Sequence, residues 1–451
     1  MLKSISDKLL ESKSNINKSN KFNDMCNSKY IYTLNSYRQA LFEETKSYNI
    51  EKPIIDEYIL NLIKNEYFPN IYNRIAYIES IPLVEQKTPE WFKLREDMIS
   101  ASDAGYFLKK GGGVSKALDA LKIKVGLKKY CNSSAPPLMH GNTYEDVTRA
   151  IYESRNSVSV TEYGILSSPT ACIGASPDGI VTKCHKDTYD CQAKFGRLLE
   201  IKNPYSREID NVIKPEYMVQ ILQQQYTTQL PICDFVETTI VDKFCHTFTS
   251  KPYDILSEML EDKLDTTTAT WQNRVKNYNI PVDNLNKFGN EKGLLLWFKK
   301  QLSETDTRHK YILYPLTSLY ETETIEKWIV DIRSEQFKND FTYVCTKYWR
   351  LDVYSEKTVV YDQKLFEGEY VPQLCAVWAV ITKCNEMKKK GEDVAKYIEE
   401  MENTKDSPFY NENKRKKKVN ASEDYGESND TNNIKKNSKI YNPNKSIELD
   451  F

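Results

Sequence analysis

Apolar positions recur along this chain with two different periods. Between residues 30 and 81 the period is helical: Ile54, Ile55, Tyr58, Ile59, Leu62 and Ile63 fall three or four apart and form one stripe. That stripe predicts packing helices and carries no chemistry. Thr88-Pro89 signals another helix start, because threonine caps and proline suits the first turn. Trp91 and Arg95 lie one turn apart on that helix, and Ser100-Ala101-Ser102-Asp103 marks a second start. Helices are also predicted after Gly141, over 217–225 and over 371–387. In 198–202 the period drops to two, so Leu199 and Ile201 face one way while Glu200 and Lys202 face the other. The apolar run 173–181 is broken by Ser176-Pro177-Asp178-Gly179, turn chemistry that puts Asp178 at a bend. Strands are predicted again over 233–240 and 343–361. Residues 245–340 read as mixed helical, with Trp297, Tyr311 and Trp328 as core anchors. Helices interleaved with short strands imply a mixed α/β fold.

Composition narrows the class. The chain has 451 residues and is 40% hydrophobic, with a formal net charge of -1 from 63 basic and 64 acidic side chains. Its mean hydropathy is -0.63. A soluble intracellular protein with no membrane span or signal peptide is expected. A near-zero net charge gives no global attraction to nucleic acid, so any such contact must be local. Ten cysteines without regular spacing suggest reduced thiols. Cys172, Cys184, His185 and Cys191 are the one zinc candidate, with a spacing that fits no standard site. Beyond Asn403 the chain is too polar to bury a core. Its Lys414-Arg415-Lys416-Lys417-Lys418 run reads either as an import or DNA-contact patch or as a solubilising charge run.

The chemistry concentrates on Asp178, Glu200 and Lys202. Two carboxylates and an ammonium at one strand end suit a hard divalent cation such as Mg²⁺, which takes oxygen ligands and keeps several waters. The lysine would orient or deprotonate a water, or stabilise charge on a phosphate. Glu145 reads either as a carboxylate aimed at this pocket or as the surface partner of Arg149, one turn on. Gln220 reads either as a pocket amide or as part of an exposed glutamine run. Arg95 with Ser102 could hold a phosphate, since the guanidinium fork donates to two oxygens. Lys116, Lys122, Lys124, Lys128 and Lys129 are either a DNA-backbone face or a solvated one. Lys109-Lys110-Gly111-Gly112-Gly113 lacks the Gly-Lys-Ser/Thr ending of a P-loop and gives no nucleotide site.

In their order, WFKLREDMISASDAG, MHGNTYEDVTRAIYE, GASPDGIV, LLEIKNP and YMVQILQQQ resemble the lambda-exonuclease/YqaJ family of viral recombinase nucleases, a PD-(D/E)xK branch. The resemblance covers about 90 to 240. It implies a restriction-endonuclease-like core, a mixed central sheet flanked by helices, here with a helical N-terminal extension (1–85), an exonuclease domain (86–400) carrying an insertion at 245–340, and a disordered tail (401–451). It further implies that Asp178, Glu200 and the Ile201 carbonyl bind Mg²⁺, with Mn²⁺ able to substitute. Lys202 would be catalytic, Glu145 and Gln220 would support the site, and Arg95, Ser102 and Ser176 would recognise a terminal 5′-phosphate. The implied activity is 5′→3′ resection of double-stranded DNA ends in recombination, repair or replication. Implied partners are a single-strand annealing protein and further copies of the chain in a ring trimer. The elaborated chain and its Asn/Lys/Ile/Tyr-rich composition suggest a virus-encoded protein acting in host cytoplasm or nucleus. A structure-selective or nicking endonuclease would use the same acids, and a catalytically silent DNA-binding or assembly protein would keep the fold.

Overall fold

The computed structural model describes residues 41–43, 51–62, 64–65, 68–82, 84, 88–110, 113–128, 135–245, 291–303, 306–316, 322–405 and 407–409. The chain divides into two units, Met1–Glu392 and Asp393–Phe451.

In the first unit a small sheet is made by β1 (Ile99–Ser100), β3 (Leu166–Ser167) and β4 (Ile173–Ala175), in the order β1-β4-β3. A large sheet contains β2 (Val158–Thr161), β5 (Gly179–Cys184), β6 (Leu198–Lys202), β7 (Ile232–Cys245), β8 (Lys292–Ser303), β9 (Asp306–Leu313) and β10 (Thr342–Val360). Its order is β2-β5-β6-β7-β10-β8-β9. Only β6 and β7 run parallel in it. A parallel neighbour needs a crossover, and a helix supplies it here. The helices around these sheets are α1 (Lys52–Leu62), α2 (Phe68–Glu79), α3 (Pro89–Glu96), α4 (Ala101–Phe107), α5 (Gly113–Lys124), α6 (Pro136–Asn156) and that crossover, α7 (Pro215–Thr228). They are succeeded by α8 (Thr322–Lys338) and α9 (Val371–Lys390), while α10 (Val394–Asn403) lies in the second unit.

The large sheet is covered on both faces. On one, Leu198 and Phe235 pack with Ile221 of α7 and with Ile55, Ile59, Ile71, Ile75 and Ile78 of α1 and α2. On the other, Leu199, Ile201, Val236, Leu295 and Trp349 pack with Tyr144, Val147, Ile151 and Tyr152 of α6. The N-terminal helices therefore close the main core. Arg74 of α2 also donates to the Thr227 carbonyl at 3.1 Å and to the Thr228 carbonyl, orphan acceptors at the end of α7. Of the N-terminal stripe, Ile55 and Ile59 are buried while Ile54 is exposed.

Beneath α6, Asp234 is fully buried and accepts from Tyr152 at 2.8 Å, Lys194 at 2.8 Å and Arg197 at 2.9 Å. Burial opposes its charge, but Arg197 and Lys194 outweigh that and hold the carboxyl below its usual range.

The mixed-helical expectation for 245–340 is corrected. Residues 246–290 lie outside the described set, and the described chain resumes with the hairpin of β8 and β9 before α8. This hairpin extends the main sheet through the β8–β10 pairing. Leu294 and Leu296 pack towards Ile325 and Ile329 of α8, while Leu295 packs towards α6. A strand buried on both faces shows no alternation, so its pattern does not differ from that of a buried helix. Trp297, Tyr311 and Trp328 are half-buried; the fully buried side chains of this region include Leu294, Leu296, Phe298 and Ile325. The helix expected after Gly141 begins earlier, at Pro136. Of the basic runs, Lys129 and 414–418 lie outside the described residues, as do Gly111, Gly112 and Ile63. No helix among the described residues is long and apolar enough to cross a membrane.

Candidate active site

β5 and β6 pair only at Gly179↔Leu199 and Ile180↔Leu198, so the edge of β6 beyond Leu199 faces the turn that carries Asp178. There Asp178 Oδ2 accepts from the Ile201 N–H at 2.7 Å. The N–H and C=O of one strand residue point to the same edge, so the Ile201 carbonyl also faces the Asp178 side. Glu200 and Lys202 alternate to the α7 face as expected, and Glu200 is completely buried. Lys202 Nζ donates to Glu200 Oε1 and lies over the Tyr217 ring at 5.2 Å.

Burial raises the Asp178 carboxyl well above the usual carboxylate range; the neighbouring charges of Glu200 and Glu145 add to that, against Lys202 and the Ile201 N–H. Burial disfavours a charged Lys202, yet Glu200 and Asp178 prevail and raise its pKa. Glu145 thus sits in electrostatic range of the acids. Arg149, its partner in the surface reading, pairs with Asp146 at 2.7 Å and with Glu162. Behind β6, Asn203 Oδ1 accepts from Thr148 of α6 and Thr238 of β7, each at 2.7 Å, fixing the strand end.

The glutamine run of α7 is not an exposed face. Gln223, Gln224 and Gln225 are buried, and each amide ties the helix to a different part of the fold. Gln223 donates to the Ile99 and Gly174 carbonyls of the small sheet at 2.8 and 2.9 Å. Gln224 donates to Glu200 Oε2 at 2.6 Å. Gln225 donates to the Pro231 and Val359 carbonyls at 2.8 and 3.0 Å. The hydrogen bond to the acid site comes from Gln224; Gln220, the amide singled out from sequence, is half-buried one turn earlier.

The donor set fits a hard cation. Its candidate ligands are all oxygens: the Asp178 carboxylate from the turn, the Glu200 carboxylate and the Ile201 carbonyl of β6. Among the described residues no three acid, histidine or cysteine side chains form a cage, but Mg²⁺ is commonly held by one or two carboxylates and water. Gln224 Oε1 is buried without a hydrogen-bond partner among the described residues, an acceptor that a cation's water would satisfy. Burial first, and then the charges of Glu200 and Glu145, raise the Asp178 carboxyl, and a divalent cation would offset both.

The phosphate candidates stand on the small sheet. Thr88 Oγ1 accepts from the Trp91 N–H at 3.3 Å and caps α3, as its sequence predicts. Arg95 at its far end stacks on Trp91 at 4.6 Å, and its Nη2 reaches Ser100 Oγ at 2.8 Å, Ser102 Oγ at 3.0 Å and Asp103 Oδ2 at 3.3 Å. Ser176 donates to the Tyr163 carbonyl at 3.4 Å. The parallel register Ser100↔Gly174 carries Ser102 and Ser176, each two residues further on, to the same end of the sheet.

The zinc candidates do not converge: Cys184 donates to the Cys191 carbonyl, Cys191 to the Ser157 carbonyl, His185 Nε2 meets Ser159, and Cys172 Sγ lies 4.0 Å from Cys375 Sγ. Sequence reasoning singled out neither Gln224, which shares a helix face with Gln220, nor Asp103, nor the Arg207–Glu237 pair, whose glutamate stands opposite Lys202 on β7. Only Gln224 left a signal, as the residue one turn beyond Gln220.

Residues 90–231 match the family model of the YqaJ-like viral recombinase domain. That match bears out the resemblance carried by the motifs. An uncharacterized protein of Acanthamoeba polyphaga mimivirus is 28% identical over 401 residues, covering 83% of this chain and 65% of that protein. The chain thus spans just under two thirds of the length of this curated relative. Crystal structures of an alkaline exonuclease, LHK-Exo, from Laribacter hongkongensis and of LHK-Exo in complex with dAMP are each 28% identical, covering 34% of this chain and 74% of that chain, with TM-scores of 0.27 and 0.28.

Proposed function

Taking residues 90–231 as a YqaJ-like viral recombinase domain, we propose that this chain is a Mg²⁺-dependent PD-(D/E)xK exonuclease that resects double-stranded DNA ends, 5′→3′, in viral recombination, replication or repair. The observation that carries the reading is the convergence of Asp178, Glu200, Lys202 and Gln224 at one strand end. Asp178, Glu200 and the Ile201 carbonyl would hold the cation, Mg²⁺ or in its place Mn²⁺. When bound, such a cation supplies a water of lowered pKa and neutralises charge on the phosphate.

The chain's own residues do the rest. Gln224 and Lys202 fix the two oxygens of Glu200, one donor on each, so the carboxylate presents one orientation. Lys202 Nζ, steered by Tyr217, stands where it can hold the attacking water or a phosphate oxygen by donation. Glu145 keeps the pocket anionic from the α6 side. Arg95 and Ser102, with Ser176 at the same end of the small sheet, would take the terminal 5′-phosphate, and Gln223 would fix that sheet relative to the acids.

The substrate would be a duplex end. A single-strand annealing partner and a ring of copies would be implied by the family resemblance alone, and a virus-encoded origin is in keeping with the mimivirus relative. The test is digestion of a linear duplex with Mg²⁺ beside a covalently closed circle. Release of mononucleotides from the linear DNA alone supports the exonuclease. Cutting of the circle would move the assignment to an endonuclease, and binding without any cleavage to a silent assembly protein.

A further inference from the structure

In the pocket around Arg95 the Nη2 corner of the guanidinium is already engaged inside the protein. Arg95 Nη2 is shared by Ser100 Oγ at 2.8 Å, Ser102 Oγ at 3.0 Å and Asp103 Oδ2 at 3.3 Å. Ser100 has one hydroxyl proton and gives it to Asp103 Oδ2 at 2.6 Å, so towards Arg95 it is an acceptor. The pocket that would bind an anion therefore holds one of its own. It is not sealed: the Arg95 and Asp103 side chains are 24% and 28% exposed. A second cation stands behind, since Lys124 Nζ of α5 donates to the Arg95 carbonyl, in range of both Asp103 and Arg95. Ser100, Ser102 and Asp103 lie at the start of α4.

We infer that Asp103 is a specificity-setting counter-anion, a carboxylate resident on Arg95 Nη2 that an incoming terminal phosphate must displace to reach that corner and Ser100. This rests on the reading of the Arg95 pocket as the 5′-phosphate site. A carboxylate carries one negative charge, as does each internal phosphodiester. A diester that replaces Asp103 on Arg95 and Ser100 therefore gains little. A terminal phosphomonoester carries about 1.5 to 2 negative charges at pH 7 and three acceptor oxygens, so it exchanges favourably. Discrimination then comes from an element that penalises the wrong ligand, as selective sites commonly do. The Arg95–Asp103 contact is partly exposed, so its displacement costs little in salt.

The test measures binding of a short duplex with 5′-phosphate or 5′-hydroxyl ends to the full chain in EDTA, at fixed salt, by fluorescence anisotropy. With Asp103→Asn both duplexes should bind more tightly, the hydroxyl duplex gaining more. The phosphate preference should then fall at least about threefold. Asp103→Ser, which also removes the charge, carries the same expectation should the asparagine variant fail to fold. Tighter binding is a readout that a merely structural role for Asp103 would not produce. A wild-type preference that Asp103→Asn leaves unchanged, or equal weakening of both duplexes, overturns the inference while leaving the phosphate-pocket reading intact. No preference in the wild-type protein overturns that reading, and the inference with it.

Discussion

The acid site and the Arg95 pocket are electrostatic opposites held by neighbouring residues of one helix. At the first, Asp178 and Glu200 crowd together with Glu145 in range, and Lys202 answers them with the one cationic side chain named at the site among the described residues. At the second, Arg95 holds the Asp103 carboxylate and Lys124 stands in range of it, with Glu96 and Asp97 also near the lysine. The first has anionic charge that a divalent cation would settle; the second has cationic charge that a phosphate would settle. Gln224 donates to the first and Gln223 to the sheet that carries the second, so α7 sets their separation. An enzyme that must place a strand end at one point and its scissile phosphate at another needs this fixed spacing, because positioning is itself a large share of rate.

The largest expected effect falls on the acid site alone. Glu200→Gln should lower Mg²⁺-dependent cleavage by at least about 100-fold while leaving phosphate-end binding in EDTA unchanged. Glu200→Ala is the poorer variant despite its small volume change. Glu200 is fully buried between Lys202 and Gln224, and stripping those donors should cost roughly 1–3 kcal/mol in denaturant unfolding. Arg95→Ala should act on the other region. It should reduce preference for 5′-phosphorylated ends by about tenfold through KM, with kcat at saturation nearly kept. Equal loss on phosphate and hydroxyl ends would break the division of labour.

The two glutamines sharpen the comparison further. Gln224→Leu should lower cleavage several-fold, on the order of one lost hydrogen bond, with end preference retained. Gln223→Leu should instead erode end preference and destabilise the fold by roughly 1–3 kcal/mol, since the Ile99 and Gly174 carbonyls lose their donor. The smallest effect concerns pH. Asp178 has a raised carboxyl pKa when folded, so its contribution to stability is full below the unfolded value near 4. That contribution is lost as pH rises through the folded value. Metal-free Asp178→Asn should therefore melt above the wild-type protein at neutral pH, with the advantage vanishing below about pH 4. A variant that melts below wild type at pH 7 would contradict the crowding of acids.

Local chemistry makes much of this legible in the sequence. The alternation of Leu199, Glu200, Ile201 and Lys202, the turn at Asp178 and the Thr88 cap each follow from a few adjacent residues, and the fold keeps all three. The features that stay hidden depend on distant partners. Nothing beside Gln224 distinguishes it from Gln220; Glu200, on a strand 24 residues away in the chain, does. Asp103 reads as an ordinary first-turn acid until Arg95 is seen on it. The β8–β9 hairpin reads as helix in the sequence because burial on both faces erases the period that marks a strand.

The most direct measurement is digestion of one linear duplex with Mg²⁺, bearing a 5′-phosphate or a 5′-hydroxyl, alongside closed circular DNA and the Glu200→Gln and Arg95→Ala variants. The account predicts mononucleotides from the linear substrate only, faster from the phosphate end. It further predicts at least about 100-fold less product with Glu200→Gln, and a phosphate-end preference reduced about tenfold with Arg95→Ala. Cleavage of the closed circle, or full activity in Glu200→Gln, would contradict it.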